Sequence, residues 1–231
     1  MKNKIVSPNW SQTWWGIGYL LFQMTVLPVA LSLIFLLLGL PLDDSRLNLV
    51  YYAVNFVALL CIFWRFLRDS LRHALEDIGN VLIPAAVCFF IYRFSSALVD
   101  LGIYYLFPDF FNVNDANIAT MAQDQLPLWA LATILLVPPA EELIFRGALF
   151  GGFFTRCKAL GWIVSVLGFA VVHTVGYIGQ YSWDQLLICT VQYLPAGICL
   201  AAAYRKSGNI FSPMIIHAAI NAIAMLSLAM M

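Results

Sequence analysis

The chain has 231 residues, of which 62% are hydrophobic and only 10% are charged, and its mean hydropathy is +0.86. A soluble domain carries about 25% charged residues, so this composition excludes a soluble globular protein and indicates a polytopic membrane protein. The 12 Lys and Arg residues balance the 12 Asp and Glu residues. Because there is no basic excess to neutralise phosphates, nucleic-acid binding is also excluded.

Seven apolar segments are long enough to cross a bilayer as helices, which needs about 20 residues. They lie at approximately 14–40, 48–66, 80–107, 127–154, 160–178, 184–204 and 213–231. We expect an all-α fold, a transmembrane helical bundle that forms a single integral-membrane domain over residues 1–231. The first and third segments are long enough to contain an eighth short span. The first is too long for a cleaved signal peptide and is expected to be a retained span.

The distribution of basic residues predicts the orientation, because Lys and Arg accumulate on the cytoplasmic side. With the N-terminus inside, Arg46 is the one basic loop residue outside, and the cytoplasmic segments hold the others: Lys2, Lys4, Arg65, Arg68, Arg72, Arg156, Lys158, Arg205 and Lys206. The outer segments hold acidic residues: Asp43, Asp44, Asp109, Asp115, Asp124 and Asp184. We expect a cytoplasmic N-terminus and an external C-terminus.

The cysteines form no CxxC pair and are expected to be small buried apolar side chains, without disulfides or metal: Cys61, Cys88, Cys157, Cys189 and Cys199.

Five charges lie within the predicted spans: Arg93, Asp100, Glu141, Glu142 and Arg146. Each costs about 2.5–3.5 kcal/mol at a helix centre, so a cluster of them indicates a functional site. Arg93 and Asp100 are two turns apart on one helix face, and we interpret them as structural contacts to a neighbouring helix or as snorkelling side chains.

The segment VPPAEELIFRGALF holds the other three charges. Pro138 and Pro139 are expected to kink or break the helix directly before the two carboxylates. Glu142 and Arg146 are four residues apart, where an ion pair would spare both groups an unpaired burial. Glu141 is rotated by about 100° from Glu142 and is free to face another helix.

Two later spans carry polar groups at helical spacing. Phe169 and His173 share one face, as do His217 and Asn221, and the pair Ser212-Pro213 is expected to start the last helix. A lone intramembrane histidine is more often a packing contact. These polar groups and the carboxylates lie on three spans and at roughly one depth in the membrane. Together they predict an active site.

These residues resemble the three motifs of the CAAX protease and bacteriocin-processing family, also called CPBP or Abi intramembrane endopeptidases. The motifs are Glu141-Glu142-x-x-x-Arg146, Phe169-x-x-x-His173 and His217-x-x-x-Asn221. The resemblance covers about 127–231, the motif-bearing half, and the first three spans carry no motif of the family.

The resemblance implies hydrolysis of a peptide bond in a membrane peptide or protein, within the bilayer of a bacterial cell membrane and at a site reached from the cytoplasm. It implies that Glu141 and His173 deprotonate the attacking water. His217 and Asn221 would donate to the oxyanion, and Glu142 with Arg146 would brace the helix. A carboxylate and an imidazole on one water form a reasonable general base.

Members of the family are often called metalloproteases, and Glu141, His173 and His217 could serve as zinc ligands. The sequence has no HExxH motif, and zinc on His217 would remove this residue from the oxyanion. We therefore expect a mechanism without a cofactor, with zinc as the open alternative.

Two other functions remain open. A non-catalytic protein for bacteriocin immunity or peptide sequestration would use the same polar cluster for docking and would not need Glu141 as a base. A transporter would use the carboxylates as a proton relay, but the sequence shows neither an inverted repeat nor paired broken helices.

Overall fold

The computed structural model describes residues 5–123 and 125–230, so Lys2, Lys4 and Asp124 of the charge comparison lie outside the described residues. Over these ranges the protein is helical and has no strand, and one isolated bridge joins Ile178 to Tyr181. The helices are α1 (Trp10–Leu37), α2 (Asp44–Ile62), α3 (Trp64–Glu76), α4 (Gly79–Leu106), α5 (Val113–Ala122), α6 (Leu126–Phe154), α7 (Lys158–Val175), α8 (Trp183–Ser207) and α9 (Phe211–Ala229).

All of these helices except α3 and α5 are long and apolar enough to span a membrane, which confirms the seven predicted spans. Helices α1 and α4 are each continuous over 28 residues. Neither therefore conceals an eighth span in the part of the chain that the structure describes.

Helices α3 and α5 were not predicted. Helix α3 has 13 residues and buries Phe66, Leu67 and Ala74. Helix α5 has 10 residues and is capped by Asn112, whose side chain accepts hydrogen bonds from the backbone of Asn114 and Asp115. Both helices are too short to be found by a search for apolar segments of about 20 residues, the length that crosses a membrane.

One end of the bundle gathers the N-terminal segment, the α2–α3 junction and the α8–α9 turn. Gln12 Nε2 donates to the Ile62 carbonyl at 3.0 Å, and Asn209 Nδ2 donates to the Ser70 carbonyl at 2.7 Å. We call this the basic end, since its loops and helix termini carry Arg65, Arg68, Arg72, Arg156, Lys158, Arg205 and Lys206.

The opposite end gathers the start of α2, helix α5, the start of α6 and the start of α8. Trp129 Nε1 donates to Ser45 Oγ at 2.8 Å, and Asn112 Nδ2 donates to Gln192 Oε1 at 2.9 Å. We call this the acidic end, since it carries Asp43, Asp44, Asp109, Asp115 and Asp184. Basic and acidic residues thus collect at opposite ends of the bundle, as expected if seven helices cross the membrane in alternating directions.

Helix α6 runs through the centre of the protein, and its backbone is irregular. It is α-helical at Leu126–Leu131, Val137–Glu142 and Gly152–Phe154 and π-helical between them, at Ala132–Leu136 and Leu143–Gly151. The expected break at Pro138 is absent from this described segment, and the helix is distorted instead. The wider π-helical turn in front of the prolines shifts the backbone pairing, so that Val137 N donates to the Ala132 carbonyl, and this accommodates two residues that have no N–H.

Helix α9 begins at Phe211 after the N-cap Ile210, so the predicted start, with Ser212 as N-cap and Pro213 as first helical residue, is two residues too late. Asn209 Oδ1 accepts from the Phe211 backbone N–H at 3.0 Å and takes the capping role assigned to Ser212. Pro213 is still in the first turn, where its missing N–H costs nothing.

The cysteines are free, as predicted, and Cys88, Cys189 and Cys199 are buried. Cys61 and Cys157 are exposed, which corrects the expectation that all five are buried, because an apolar sequence does not reveal which helix face points outward.

The two charges on α4 make no catalytic cluster with other described residues. Asp100 Oδ1 accepts from Gln192 Nε2 of α8 at 2.9 Å, while Arg93 is exposed on the surface of the bundle. The structural interpretation of Asp100 is confirmed by this contact.

Candidate active site

Helix α6 packs against both α7 and α9, and these three helices carry the six predicted site residues. Glu141, Glu142 and Arg146 lie on α6, His173 lies in the last turn of α7, and His217 and Asn221 lie on α9. The irregular backbone of α6 places the two adjacent carboxylates in different surroundings.

Glu142 and Arg146 form a completely buried ion pair with a distance of 3.0 Å between Arg146 Nη1 and Glu142 Oε1. His217 Nδ1 lies 2.9 Å from the same oxygen. A carboxylate oxygen without a proton only accepts, so Nδ1 carries the hydrogen and His217 is held by the pair. The predicted ion pair is confirmed, and it also orients a histidine.

Arg146 has two further contacts that fix its position. Its Nη2 donates to the Gly197 carbonyl of α8 at 3.0 Å, and its guanidinium lies 4.4 Å from the centre of the Phe169 ring. The motif residue Phe169 thus packs on the arginine as well as preceding His173. A buried arginine needs such partners, because an uncompensated charge in the interior costs several kcal/mol.

His173 is oriented by its own helix. Its Nδ1 lies 2.7 Å from the Phe169 carbonyl, and its ring stacks on Tyr193 of α8 with 4.1 Å between the ring centres. A carbonyl only accepts hydrogen bonds, so Nδ1 is again the protonated nitrogen. In the neutral ring, Nε2 then carries a lone pair.

Glu141 faces both histidines. Its Oε2 lies 3.9 Å from Nε2 of His173 and 3.9 Å from Nε2 of His217. This oxygen is itself buried and has no hydrogen-bond partner among the described residues, although the side chain is 26% exposed. Three atoms with lone pairs thus converge on one small space, an arrangement that suits the protons of a water molecule or a cation.

Asn221 does not join this group, because its Nδ2 donates to the Thr133 carbonyl on α6 at 2.8 Å. The reason lies in the prolines. The α-helical partner of this carbonyl, Val137 N, is bonded to Ala132, and the π-helical partner would be Pro138, which has no N–H. Asn221 supplies the missing donor, and its second amide hydrogen remains free for another acceptor.

Three residues that support His173 were missed by the sequence analysis. The Tyr193 hydroxyl donates to Asp115 Oδ1 at 3.0 Å and accepts from Asn114 Nδ2 at 3.0 Å, so helix α5 holds the ring that stacks on the histidine. The run of polar residues at 112–115 could have indicated a functional segment. A single tyrosine within an apolar span gives no such indication.

The Asp115 carboxyl has a shifted pKa although the residue is exposed at the surface of the protein. Desolvation by the surrounding groups raises this pKa above the ordinary value, an effect that the hydrogen bond from Tyr193 and the nearby His173 oppose. Asp115 lies outside the spanning helices and is linked to the site through the Tyr193 hydroxyl.

The donor types around Glu141 also fit a metal ion. A ligating histidine usually donates its other ring N–H to a carbonyl or carboxylate, as His173 and His217 do. However, ligands that share a tetrahedral zinc at about 2.1 Å lie about 3.4 Å apart, less than the 3.9 Å seen here. No three His, Cys, Asp or Glu side chains of the described residues form a ready-made metal site.

Residues 123–223 match the sequence model of the type II CAAX prenyl endopeptidase Rce1-like family. This segment is Rce1-like. The match begins close to the predicted boundary at Pro127 and contains all six site residues, so the resemblance drawn from the three motifs is confirmed.

Two curated relatives extend the comparison beyond the Rce1-like segment. The "Putative membrane peptidase YdiL" of Bacillus subtilis is 26% identical over 215 residues, which cover 88% of this chain and 83% of the relative. The "UPF0177 protein YxdF" of Lactococcus lactis is 32% identical over 99 residues, which cover 42% of this chain and 49% of the relative. No solved structure gives a significant match. The Rce1-like segment and the first relative support a membrane protease.

Proposed function

We propose that this protein is an intramembrane endopeptidase that hydrolyses a peptide bond of a membrane-associated peptide or protein with a water molecule activated by Glu141. One observation carries the proposal: Glu141 Oε2, which has no partner among the described residues, lies 3.9 Å from Nε2 of His173 and of His217. A general base must reach the proton that it takes, directly or through one water.

In this mechanism the water donates one hydrogen to Glu141 and the other to Nε2 of His173. As Glu141 takes its proton, the water oxygen bonds to the scissile carbonyl carbon, and the carbonyl oxygen becomes the oxyanion. Glu141 then returns the proton to the amide nitrogen as the C–N bond breaks, so a carboxylic acid and an amine leave the site. His173 must keep its lone pair on Nε2, and the Nδ1–H bond to Phe169 places it there in the neutral ring.

The oxyanion would be held from α9. Asn221 has one amide hydrogen left after its bond to Thr133. His217 can donate from Nε2 only when its ring carries both protons, the other lying on Nδ1 toward Glu142 Oε1 at 2.9 Å. Two such donors in a dry site typically contribute a few kcal/mol each to the transition state.

If zinc occupies the site, Glu141, His173 and His217 would hold it, and the metal would supply a water of lowered pKa and polarise the scissile carbonyl. The chain's own residues would keep their orienting roles. We propose the metal-free mechanism because it leaves Nε2 of His217 available for the oxyanion.

The test is cleavage of a quenched-fluorescence peptide library by the purified protein in vesicles, with wild type compared to Glu141→Gln. The amide keeps the shape but cannot take the proton, so hydrolysis falls by about 10²–10⁴-fold while peptide binding persists. Glu76→Gln, on the exposed side of α3, is the matched control and retains activity.

Three outcomes separate the alternatives. Unchanged cleavage after chelation supports the metal-free mechanism, whereas loss in chelator with recovery in zinc would make Glu141 a ligand. Peptide binding without cleavage in both proteins would contradict the peptidase and favour a sequestering protein.

A further inference from the structure

Two cavities lie between α1 and α2 on one side and α7 on the other, above α6. The inner cavity has a volume of about 170 Å³ and contains Glu141 and Tyr52. The outer cavity has a volume of about 430 Å³ and contains Asp44, the first residue of α2. Both are lined by Tyr51, Asn114, Val172 and His173, so they adjoin each other, and we call the two together the access cleft.

The access cleft opens at the acidic end. Its outer part is lined by Asp44 and Asn48 at the start of α2 and by Tyr177 just beyond the end of α7. At the basic end, α1 and α6 are in close contact, as a Cβ atom added at Gly152 would lie 2.5 Å from Thr13 Cγ2. The position of the outer cavity thus favours entry of a peptide from the acidic end.

Asp44 is the one Asp, Glu, Lys or Arg among the described residues that line the outer cavity, which His173 also lines. The neighbouring Asp43 is occupied, since it pairs with Arg46 at 3.1 Å and caps α2. The Asp44 carboxylate has no hydrogen-bond or ion-pair partner within the described ranges. An unpaired carboxylate in the wall of a cleft attracts a cation, because opposite charges guide association and set register.

The distance along α2 fixes where that cation would sit in the substrate. Asp44 precedes Tyr52, which lines the inner cavity with Glu141, by eight residues, or about 12 Å of helix. An extended peptide covers about 12 Å in three to four residues. The cationic side chain would thus lie three to four residues from the scissile bond.

We infer that the substrate is a peptide that enters through the access cleft from the acidic end and presents a Lys or Arg, three to four residues from the scissile bond, to Asp44. The inference rests on the proposed peptidase function and adds the route and the substrate class.

The first test is a set of quenched-fluorescence peptides with Lys, Gln or Glu at each position up to five residues from the cleaved bond, in phosphatidylcholine vesicles without net charge. We expect wild type to prefer Lys at the third or fourth position, and Asp44→Asn to lose about three- to fivefold in kcat/KM for that peptide only. Asp44→Lys should prefer Glu at the same position. Asp109→Asn, at the acidic end but away from the cleft, keeps the wild-type preference.

A second test addresses the route. Asn48→Cys and Lys206→Cys are prepared in a Cys61→Ser, Cys157→Ser background and modified with a bulky maleimide. Modification at position 48 should lower cleavage at least tenfold relative to the unmodified variant, and modification at position 206 should not. The reverse result, or an unchanged peptide preference in Asp44→Lys, overturns the inference.

Failure of the peptidase proposal gives a different pattern. Fluorescence anisotropy then shows Asp44-dependent binding of the Lys peptide, but no peptide is cleaved. Cleavage that is equal in wild type and Asp44→Lys contradicts the inference and leaves the peptidase intact.

Discussion

Two adjacent glutamates have different surroundings, although Oε2 of each has no hydrogen-bond partner among the described residues. Glu142 is fully buried and its Oε1 accepts from Arg146 and His217, so this side chain is fixed by charged and polar neighbours. Glu141 is partly exposed to the access cleft and its Oε2 has no partner among the described residues. A fixed carboxylate braces a site, whereas an uncommitted one can exchange a proton.

Arg146 should therefore matter for folding more than for chemistry. Replacement by Ala removes the bonds to Glu142 and Gly197 and leaves a buried carboxylate uncompensated, which typically costs about 3–5 kcal/mol. We expect a strongly lowered thermal midpoint in detergent and a low yield. Arg65→Ala, on the surface of α3, serves as the control. A folded Arg146→Ala protein of normal stability would show that the pair is dispensable for the fold.

At the scale of elements, α6 determines the site through its prolines. They leave the Thr133 carbonyl without a backbone donor, and Asn221 compensates from α9 at 2.8 Å. Asn221 thus has a structural role as well as the role in turnover that its motif implies. Removing a donor from a buried carbonyl costs about 1–3 kcal/mol.

A double-mutant cycle tests this coupling. Asn221→Ala should lower stability by about 1–3 kcal/mol in the wild type but by less in the Pro138→Ala background, because that substitution restores a backbone N–H at position 138. Thermal unfolding of the four proteins gives the interaction energy. Equal effects of Asn221→Ala in both backgrounds would rule out the proposed exchange of donors.

Helix α5 offers a pH test through Asp115, an exposed residue whose carboxyl pKa is raised by partial desolvation. A carboxyl with a raised folded-state pKa stabilises the fold below its unfolded pKa, and this contribution is lost as pH rises through the folded value. Asp115→Asn, which can still accept from Tyr193, should be more stable than wild type at pH 7 and equally stable near pH 3. A stability difference that does not change with pH contradicts this assignment.

The sequence predicted the seven spans and the Glu142–Arg146 pair because both depend on local patterns. Apolar length places α1 or α9, and the spacing of Glu142 and Arg146 specifies a pair within one helix turn. The support of His173 by Tyr193 and Asp115 joins residues 78 positions apart, which no local pattern encodes. The π-helical turns of α6 were also missed, because Pro138 signals a distortion without specifying its form.

At the scale of the molecule, the position of the access cleft and the distribution of charges together determine on which side of the membrane the cleft opens. The cleft opens at the acidic end, opposite Arg156 and Lys206. A cytoplasmic N-terminus places this opening outside the cell, whereas the family resemblance implies access from the cytoplasm. These two expectations cannot both hold.

Cysteine labelling decides between them. With Cys61 and Cys157 replaced by Ser, an impermeant maleimide on intact cells should label Asp109→Cys but not Lys206→Cys, because the basic end is expected inside. Both variants should react once the cells are permeabilised. Labelling of Lys206→Cys alone on intact cells would place the basic end outside and the cleft opening in the cytoplasm.

The walls of the access cleft have a consequence for how such enzymes diversify. The reacting groups lie on α6, α7 and α9, whereas Asp44, Asn48 and Tyr51 come from α2, which precedes the Rce1-like segment. The proposed chemistry and the proposed selectivity would thus be encoded in separate stretches of the gene. A chimera that takes residues 1–122 from one homologue and the remainder from another should inherit the peptide preference of the first and the hydrolytic machinery of the second.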